Sequence, residues 1–572
     1  MAVTKVEIRS GAYYDSVVLM QLQRALADQP GVIDAGVVMG TDANKEVLAQ
    51  SDLLTDEAKI AQPDDMLIVV KGETEAAADE TLGKVDSLLS RKRGEGVEAA
   101  YLPKSIEAAV DMLPEAQWVL ISVPGRYAAG VARQALEHNK HVFLYSDNVS
   151  LEDEISLKKD AAEKGLLVMG PDCGTAIVNG VGLGFANRVR RGNIGVVAAS
   201  GTGLQQTTAR IHQLGGGITH ALGTGGRDLK EAVGAITARQ GLQLLIDDPE
   251  STVIVLVSKP PAPSVAEKLL ALARDTDKPV VVDFIGYTPS ARRMDNLYFV
   301  STFDEAAELA VSLANNPPQP EALPLEKFAA GQKYLRGLFS GGTLAFEAQL
   351  ILKEYLPNVL SNAPLDPSLK MKDAVVSEGN CIVDLGEDEF TVGRLHPMMD
   401  NDLRIRRLLK EAEDPEVAVI FLDVVLGDGA HLDPASELAP AIADAKAIAA
   451  DAGRFLEVVA VVVGTDEDPQ DMDAQITMLK NAGARVETSN DIATRYVGQL
   501  VRALNPTEQP AADKLPAIDG TFLSQPVAAI NAGLQSFTDS VAAQGAEILQ
   551  VDWRPPAGGN EMLMAILMKM KG

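Results

Sequence analysis

Cysteine is scarce in this 572-residue chain. Cys173 and Cys381 stand far apart, with no CxxC pair and no Cys/His spacing of a metal site. That excludes a disulfide framework and a zinc centre, and neither a metal nor a cofactor is expected. Basic residues are also outnumbered. Against 51 lysines and arginines stand 80 aspartates and glutamates, for a formal net charge of −29. The basic runs, Arg91-Lys92-Arg93 and the group Arg188, Arg190 and Arg191, are brief. Binding to nucleic acid or to an anionic membrane needs clustered cations, so neither is an expected partner. No stretch of 18 apolar residues occurs, and the opening MAVTKVEIRS lacks the apolar core of a signal peptide. A cytoplasmic location is therefore expected. Also missing are a G-x-S-x-G elbow, a Walker A loop and an H-E-x-x-H pair.

Aromatic residues make up only 4% of the chain, so Ala, Val, Leu, Ile and 48 glycines must build the core. That mixture suits buried parallel strands, close helix packing and tight turns between strand and helix. The length implies three to five domains at roughly 100–200 residues each. Strand and helix patterns alternate throughout. They predict a multidomain α/β protein of doubly wound parallel sheets, a Rossmann-like domain followed by tandem flavodoxin-like domains. The expected boundaries are a small α/β domain over 1–95, the Rossmann-like domain over 96–190, and flavodoxin-like domains over 191–330 and 331–507. A tail over 508–572 is too short to bury a core of its own and is expected to dock a partner, with Trp553 and Arg554 as anchors; packing on the chain's own surface is the alternative.

The tandem domains read as an internal repeat. GNIGVVAASGTG (192–203) matches KYLRGLFSGGT (333–343), and HALGTGGRDL (220–229) matches VDLGEDEFTVGRLHPM (383–398). DDPESTVIVLV (247–257), KPVVVDFIG (278–286) and TFDEAAELAVSL (302–313) match EDPEVAVIFLDVV (413–425), FLEVVAVVVGTD (455–466) and SNDIATRYVGQL (489–500). Five matches in one order point to duplication. A proline-rich linker, NNPPQPEALP (315–324), separates the copies.

The candidate site residues lie in the turns of this repeat. Ser200-Gly201-Thr202-Gly203 and Ser340-Gly341-Gly342-Thr343 each lead from an apolar strand into a helix. Such a turn offers unpaired N–H groups and a partial positive charge, which suit phosphate or carboxylate. It also reads as an ordinary capped turn. Gly225, Gly226 and Arg227 form a further glycine loop, in which Arg227 either clamps an anion or pairs with a nearby carboxylate. The matching loop of the second copy holds Arg394, His396 and Asp400, the candidate catalytic residues. Arg394 is assigned an anionic group, and His396 a hydrogen bond or a proton. His431, Gly464 and Thr465 sit beyond other strand ends of the second copy and complete the candidate phosphate- and substrate-binding set.

GPDCGTAIVNG, GNIGVVAASGTG, GTGGRD, DDPESTVIVLV and TDKPVVVDFIG together resemble the α subunit of succinyl-CoA synthetase across 100–315. Residues 331–505 resemble the C-terminal domain of its β subunit. VEIRSGAYYDSV, GRLHPMMD, DVVLGDGAHLDP and VDWRPPAGG are similar to the FdrA family over nearly the whole chain. The resemblance implies a Rossmann-like domain of CoA-binding type and succinyl-CoA synthetase-like tandem domains. It also implies a subunit of oxamate carbamoyltransferase in allantoin breakdown. The substrates would be carbamoyl phosphate or phosphate and a small carboxylate, and the partners other subunits of a hetero-oligomeric complex. That enzyme interconverts oxamate plus carbamoyl phosphate with oxalurate plus phosphate. An acyl-CoA synthetase and a non-catalytic scaffold or anion sensor are the alternatives. The synthetase's phosphohistidine has no counterpart, since residues 287–305 contain no histidine. Nor is a match to its CoA phosphate loop found in residues 1–95.

Overall fold

The computed structural model describes residues 2–10, 16–63, 65–91, 102–289, 292–317, 322–506 and 515–555. Residues 11–15, the middle of the proline-rich linker (318–321) and the end of the expected docking tail (556–572) lie outside the described residues.

The N-terminal unit is a three-stranded antiparallel sheet. Val3–Arg9 and Val32–Met39 flank Met66–Gly72. Helix Ser16–Ala27 covers one face, where Leu19, Leu22 and Leu26 meet Ile68 and Val70.

The three larger sheets are built from near-continuous apolar runs such as Val253–Ser258, Val417–Val425 and Glu457–Val463, whose residues are almost all buried. Runs of this kind have no polar face to give to water. They therefore need helices on both sides, and parallel pairing supplies them. In the first copy the parallel core runs Ile218–Gly223, Arg191–Ala198, Val253–Ser258, Val280–Phe284, Leu297–Phe299. In the second it runs Cys381–Asp384, Tyr334–Phe339, Val417–Val425, Glu457–Val463, Arg485–Glu487. The spatial order is the same, and the strands of the five sequence matches occupy corresponding places. Helix starts are equally alike. Thr302 Oγ1 accepts from the Glu305 amide at 3.1 Å, and Ser489 Oγ accepts from the Ile492 amide at 3.3 Å.

Two segments lie elsewhere than the sequence suggested. The hairpin Thr175–Val178/Val181–Gly184 pairs antiparallel with Ile218–Gly223 and so extends the first copy's sheet, although it falls before residue 190. The tail, expected to dock a partner, instead completes this chain's own Rossmann-like sheet. Ala528–Ala532 pairs in parallel with Trp118–Ile121, and Glu547–Val551 follows it. The five strands run Glu547–Val551, Ala528–Ala532, Trp118–Ile121, His141–Leu144, Val168–Met169. Without the tail, Trp118–Ile121 becomes an apolar edge strand. Of the two anchors expected for a partner, Trp553 is used internally and Arg554 stays exposed. Trp553 packs on Tyr127 with ring centroids 5.6 Å apart, and Arg554 pairs with Asp552 at 3.3 Å. A sequence window sees only that 508–572 cannot fold alone; it does not see that the missing half of its core lies 400 residues earlier.

Ion pairs join the units, one of them fully buried. Lys158, on helix Leu151–Glu163, meets Asp228 of the first copy at 2.7 Å and Glu154 at 3.1 Å, with all three side chains fully buried. Arg502 of the second copy binds Asp295 of the first.

Truncation at residue 519 tests the tail's role. Limited proteolysis should cut residues 102–170 of the truncated chain at least tenfold faster, with soluble yield reduced. Unchanged resistance in that segment would mean that the two tail strands are dispensable to the sheet.

Candidate functional site

Parallel strands place every following turn on one sheet edge, where helix N-termini collect. Four of the candidate turns lie there, and they differ in what their amides bind.

At Gly223–Asp228 the loop folds back on itself. The Asp228 carboxylate accepts from the amides of Thr237 (3.3 Å) and Ala238 (2.8 Å), at the start of helix Ile236–Asp247. Gly225 has φ of +86°, and a side chain there would strike the Pro171 carbonyl. Gly226 faces Asp172 in the same interface. Arg227 donates to Glu154 at 2.8 Å and to the Val149 carbonyl at 2.8 Å. Of its two expected roles it takes the pairing one, so Arg227 as an anion clamp is corrected. The loop is a packed joint between two domains.

At Gly464-Thr465 the Thr465 amide donates to Asp468 at 2.7 Å. His431 is tied down nearby. Its Nδ1 accepts from the Asp433 amide at 3.1 Å, and its Nε2 lies 3.3 Å from Glu437.

At Ser340–Thr343 the turn is closed by Asp423. Its carboxylate accepts from the Ser340 amide (2.7 Å), the Ser340 hydroxyl (3.0 Å) and the Gly341 amide (2.7 Å). Arg404, itself 2% exposed, donates to the same carboxylate at 3.0 Å and to the Asp423 carbonyl at 2.6 Å. Reading Ser340 and Gly341 as an open phosphate site is thereby corrected. Gly342 and Thr343 begin the helix beside Asp384, whose Oδ2 would lie 2.6 Å from a side chain on Gly342.

At Ser200–Gly203 the turn is open. The Ser200 hydroxyl accepts from the Gly203 amide at 3.2 Å, a normal N-cap. Among the described residues nothing takes the amides of Ser200, Gly201 or Thr202. Ser200 and Gly201 are half-buried and Thr202 is exposed. A Cβ on Gly201 would sit 3.9 Å from the Gly174 backbone, in the mouth of the loop.

The three candidate catalytic residues are not brought together. Arg394 and Asp400 are exposed, and Asp400 accepts from the Asp402 amide at 2.9 Å, at the head of helix Asp402–Glu413. His396 turns inward. Its Nδ1 accepts from the Met398 amide at 3.2 Å, so in the neutral ring Nε2 carries the proton. Gly386 makes room for it: a Cβ there would lie 2.9 Å from His396 Nε2 and 3.1 Å from Asp384 Oδ1. Burial pushes the Asp384 carboxyl above the usual range, while the Gly386 amide pulls the other way. Sequence reasoning missed Asp384 and Arg404. The one signal available was a charged residue closing an apolar strand, in VDLG, as in FLDVV.

Asp283, beyond the candidate set, is also unusual. It is fully buried in strand Val280–Phe284, and neither carboxylate oxygen has a partner among the described residues. Burial, then Glu305, pushes it up to about 6. A folded value above the ordinary 3.8 gives a contribution that is whole below about pH 4 and lost as pH rises through about 6. The loss approaches about 3 kcal/mol at neutral pH. Urea midpoints of Asp283→Asn relative to the parent should therefore climb between pH 4 and pH 7. A difference independent of pH would show that Asp283 does not ionise in the folded chain.

With this geometry in place, comparison with known proteins gives three family matches. A model described as "AllF, heavy metal-associated domain" covers residues 1–102, a "CoA binding domain" covers 189–286 and a "CoA-ligase" covers 338–500. The latter two fall on the two copies of the repeat, and the CoA-binding match lies on the first copy, not on the Rossmann-like domain expected to carry it. The chain is 44% identical over 501 residues to the uncharacterized protein YahF of Escherichia coli, covering 85% of this chain and 96% of that one. It is 28% identical to malate–CoA ligase subunit alpha of Methylorubrum extorquens over 32% of this chain and 64% of that one. For succinate–CoA ligase subunit alpha of Aquifex aeolicus the figures are 27%, 31% and 58%. Among solved structures, a dinucleotide-forming acetyl-coenzyme A synthetase of Ca. Korarchaeum cryptofilum aligns at 17% identity and a TM-score of 0.30, covering 68% of this chain and 84% of that one. The heavy metal named for residues 1–102 does not fit the residues there. They include neither cysteine nor histidine, and no group of three metal-capable side chains occurs among the described residues. No helix among them is long and apolar enough to cross a membrane.

Proposed function

Since the chain belongs to the succinyl-CoA synthetase-like family that includes YahF of Escherichia coli, we propose that it is a subunit of an acyl-transferring enzyme which holds the phosphate of an acyl phosphate at Ser200–Gly203. The observation that carries this reading is the contrast between the two equivalent serine turns: the amides of Ser200, Gly201 and Thr202 are untaken among the described residues, while the Asp423 carboxylate takes those of Ser340 and Gly341. Two or three amides at a helix start can carry the charge of a leaving phosphate as it forms, which is where the transfer of an acyl group needs stabilisation. The acceptor named in the ligase relatives is CoA, and a small carboxylate activated as its acyl phosphate and passed to a thiol is the reaction this reading favours.

A second reading, carbamoyl transfer between carbamoyl phosphate and oxamate, has one observation in its favour. Residues 287–305 hold no histidine, and direct transfer from carbamoyl phosphate needs no phosphorylated intermediate. A role for Arg394 on a substrate carboxylate and for His396 Nε2–H at a developing oxyanion is a separate proposal, since both lie on the second copy and Ser200–Gly203 on the first. Asp400 has no part, since it caps a helix.

The complex co-purifying with this chain should be assayed for phosphate-dependent oxalurate cleavage and for acyl-CoA formation. Whichever activity is found, Gly201→Val should raise the KM for the phosphate-bearing substrate at least tenfold with little change in melting temperature. An unchanged KM would remove this loop from the site.

A further inference from the structure

The two copies share the same strand-turn-helix, and their registers allow a residue-by-residue comparison. Ala198 lies opposite Val257 in the first copy, as Leu338 lies opposite Leu422 in the second. Ser200 and Ser340 follow two residues later, so Ser258 and Asp423 are equivalent. Ser258 is buried and its hydroxyl donates to the neighbouring Lys259 carbonyl at 2.6 Å, away from the turn. Asp423 does the reverse. It fills its turn with a carboxylate that takes both amides and the serine hydroxyl.

From this we infer that Asp423 is a tethered anion: it occupies an otherwise complete anion site in the second copy and makes that copy refuse the phosphate-bearing substrate. Three features support an anion site beneath the side chain. Its donors are four, of three chemical kinds: two amides, a hydroxyl and a guanidinium. They converge on one pair of oxygens, as the donors to a bound oxyanion would. The guanidinium belongs to Arg404, which is 2% exposed and aimed into the turn, and its Nε is buried without a partner among the described residues. Asp423 is thus a specificity determinant, and a serine at its place would return the second copy to the open form of the first. The inference rests on the proposed function for the identity of the substrate, while the two turns themselves are observed separately.

Hydrogen exchange followed by mass spectrometry on the full chain tests it, with peptides covering 338–346 and 198–206 read apart. In the parent protein, inorganic phosphate should leave 338–346 unchanged; protection there would overturn the assignment. In Asp423→Ser, phosphate or formate at millimolar concentration should slow exchange in 338–346 at least tenfold and raise the melting temperature, and the neutral analogue formamide should do neither. A folded Asp423→Ser that ignores both anions, or that responds equally to formamide, would overturn it. Recovery of the variant in folded form only when phosphate or formate is present would support it. Should the variant fold in no buffer, the parent titration decides alone: phosphate protection of 338–346 overturns the proposal and its absence upholds it. Peptide 198–206 reports on the Ser200 site independently, so failure of one assignment is not mistaken for failure of the other.

Discussion

Parallel strand pairing is the constraint on which the rest of this molecule depends. A parallel pair cannot be closed by a tight hairpin; each strand must be followed by a crossover, here almost always a helix packed back on the sheet. Strands such as Val280–Phe284 and Glu457–Val463 are buried on both faces as a result, and the polar groups they cannot accommodate are displaced to their ends. Every strand then delivers a glycine- or serine-rich turn and a helix N-terminus to one edge. The edge collects unpaired N–H groups because of the topology, before any question of function arises.

Such N–H groups favour a partner, and at several places this chain supplies its own carboxylates. A charge-assisted hydrogen bond contributes roughly 1.5–3 kcal/mol, about twice a neutral one. Asp228, Asp423 and Asp468 therefore stabilise the amides they meet, and the acidic composition supplies such partners. The arrangement has a cost at Asp423, where a guanidinium is buried beside the carboxylate. Removing one partner of such a pair costs about 3–5 kcal/mol because the other is left buried and charged. Only an occupant held in place, whether side chain or ligand, makes a buried Arg404 tolerable.

Much of the architecture was legible in the sequence because it rests on local patterns. The five ordered matches of the repeat correspond to strands and helices in the same spatial order, and Ser200 and Ser340 stand at equivalent turns. What escaped were relations between distant residues. Ala528–Ala532 belongs beside Trp118–Ile121, a pairing across some 400 positions that no periodicity reveals. The hairpin Thr175–Gly184 lies next to one sheet and joins another. The site was legible only as a set of turns. Which of them were open depended on side chains such as Asp423, 82 residues from Gly341, and Glu154, 73 residues from Arg227. A glycine turn in a sequence announces that amides will be exposed at a sheet edge; whether a ligand or a carboxylate meets them is a tertiary fact.

The divergence of the two copies follows from the same reasoning. After a duplication both turns start out equivalent, and a single anionic substrate needs at most one of them to hold any one of its groups. The other turn keeps its unsatisfied amides and becomes a liability inside an acidic protein. A substitution on the neighbouring strand at the register position beside the turn, Ser258 in one copy and Asp423 in the other, can resolve it. In the second copy that residue is Asp423 and the turn is buried; in the first it is Ser258 and the turn is half-exposed. Burial and internal satisfaction thus go together on one side, exposure and free donors on the other. That correlation, more than any motif, separates the turn with capacity for a ligand from the one committed to the fold.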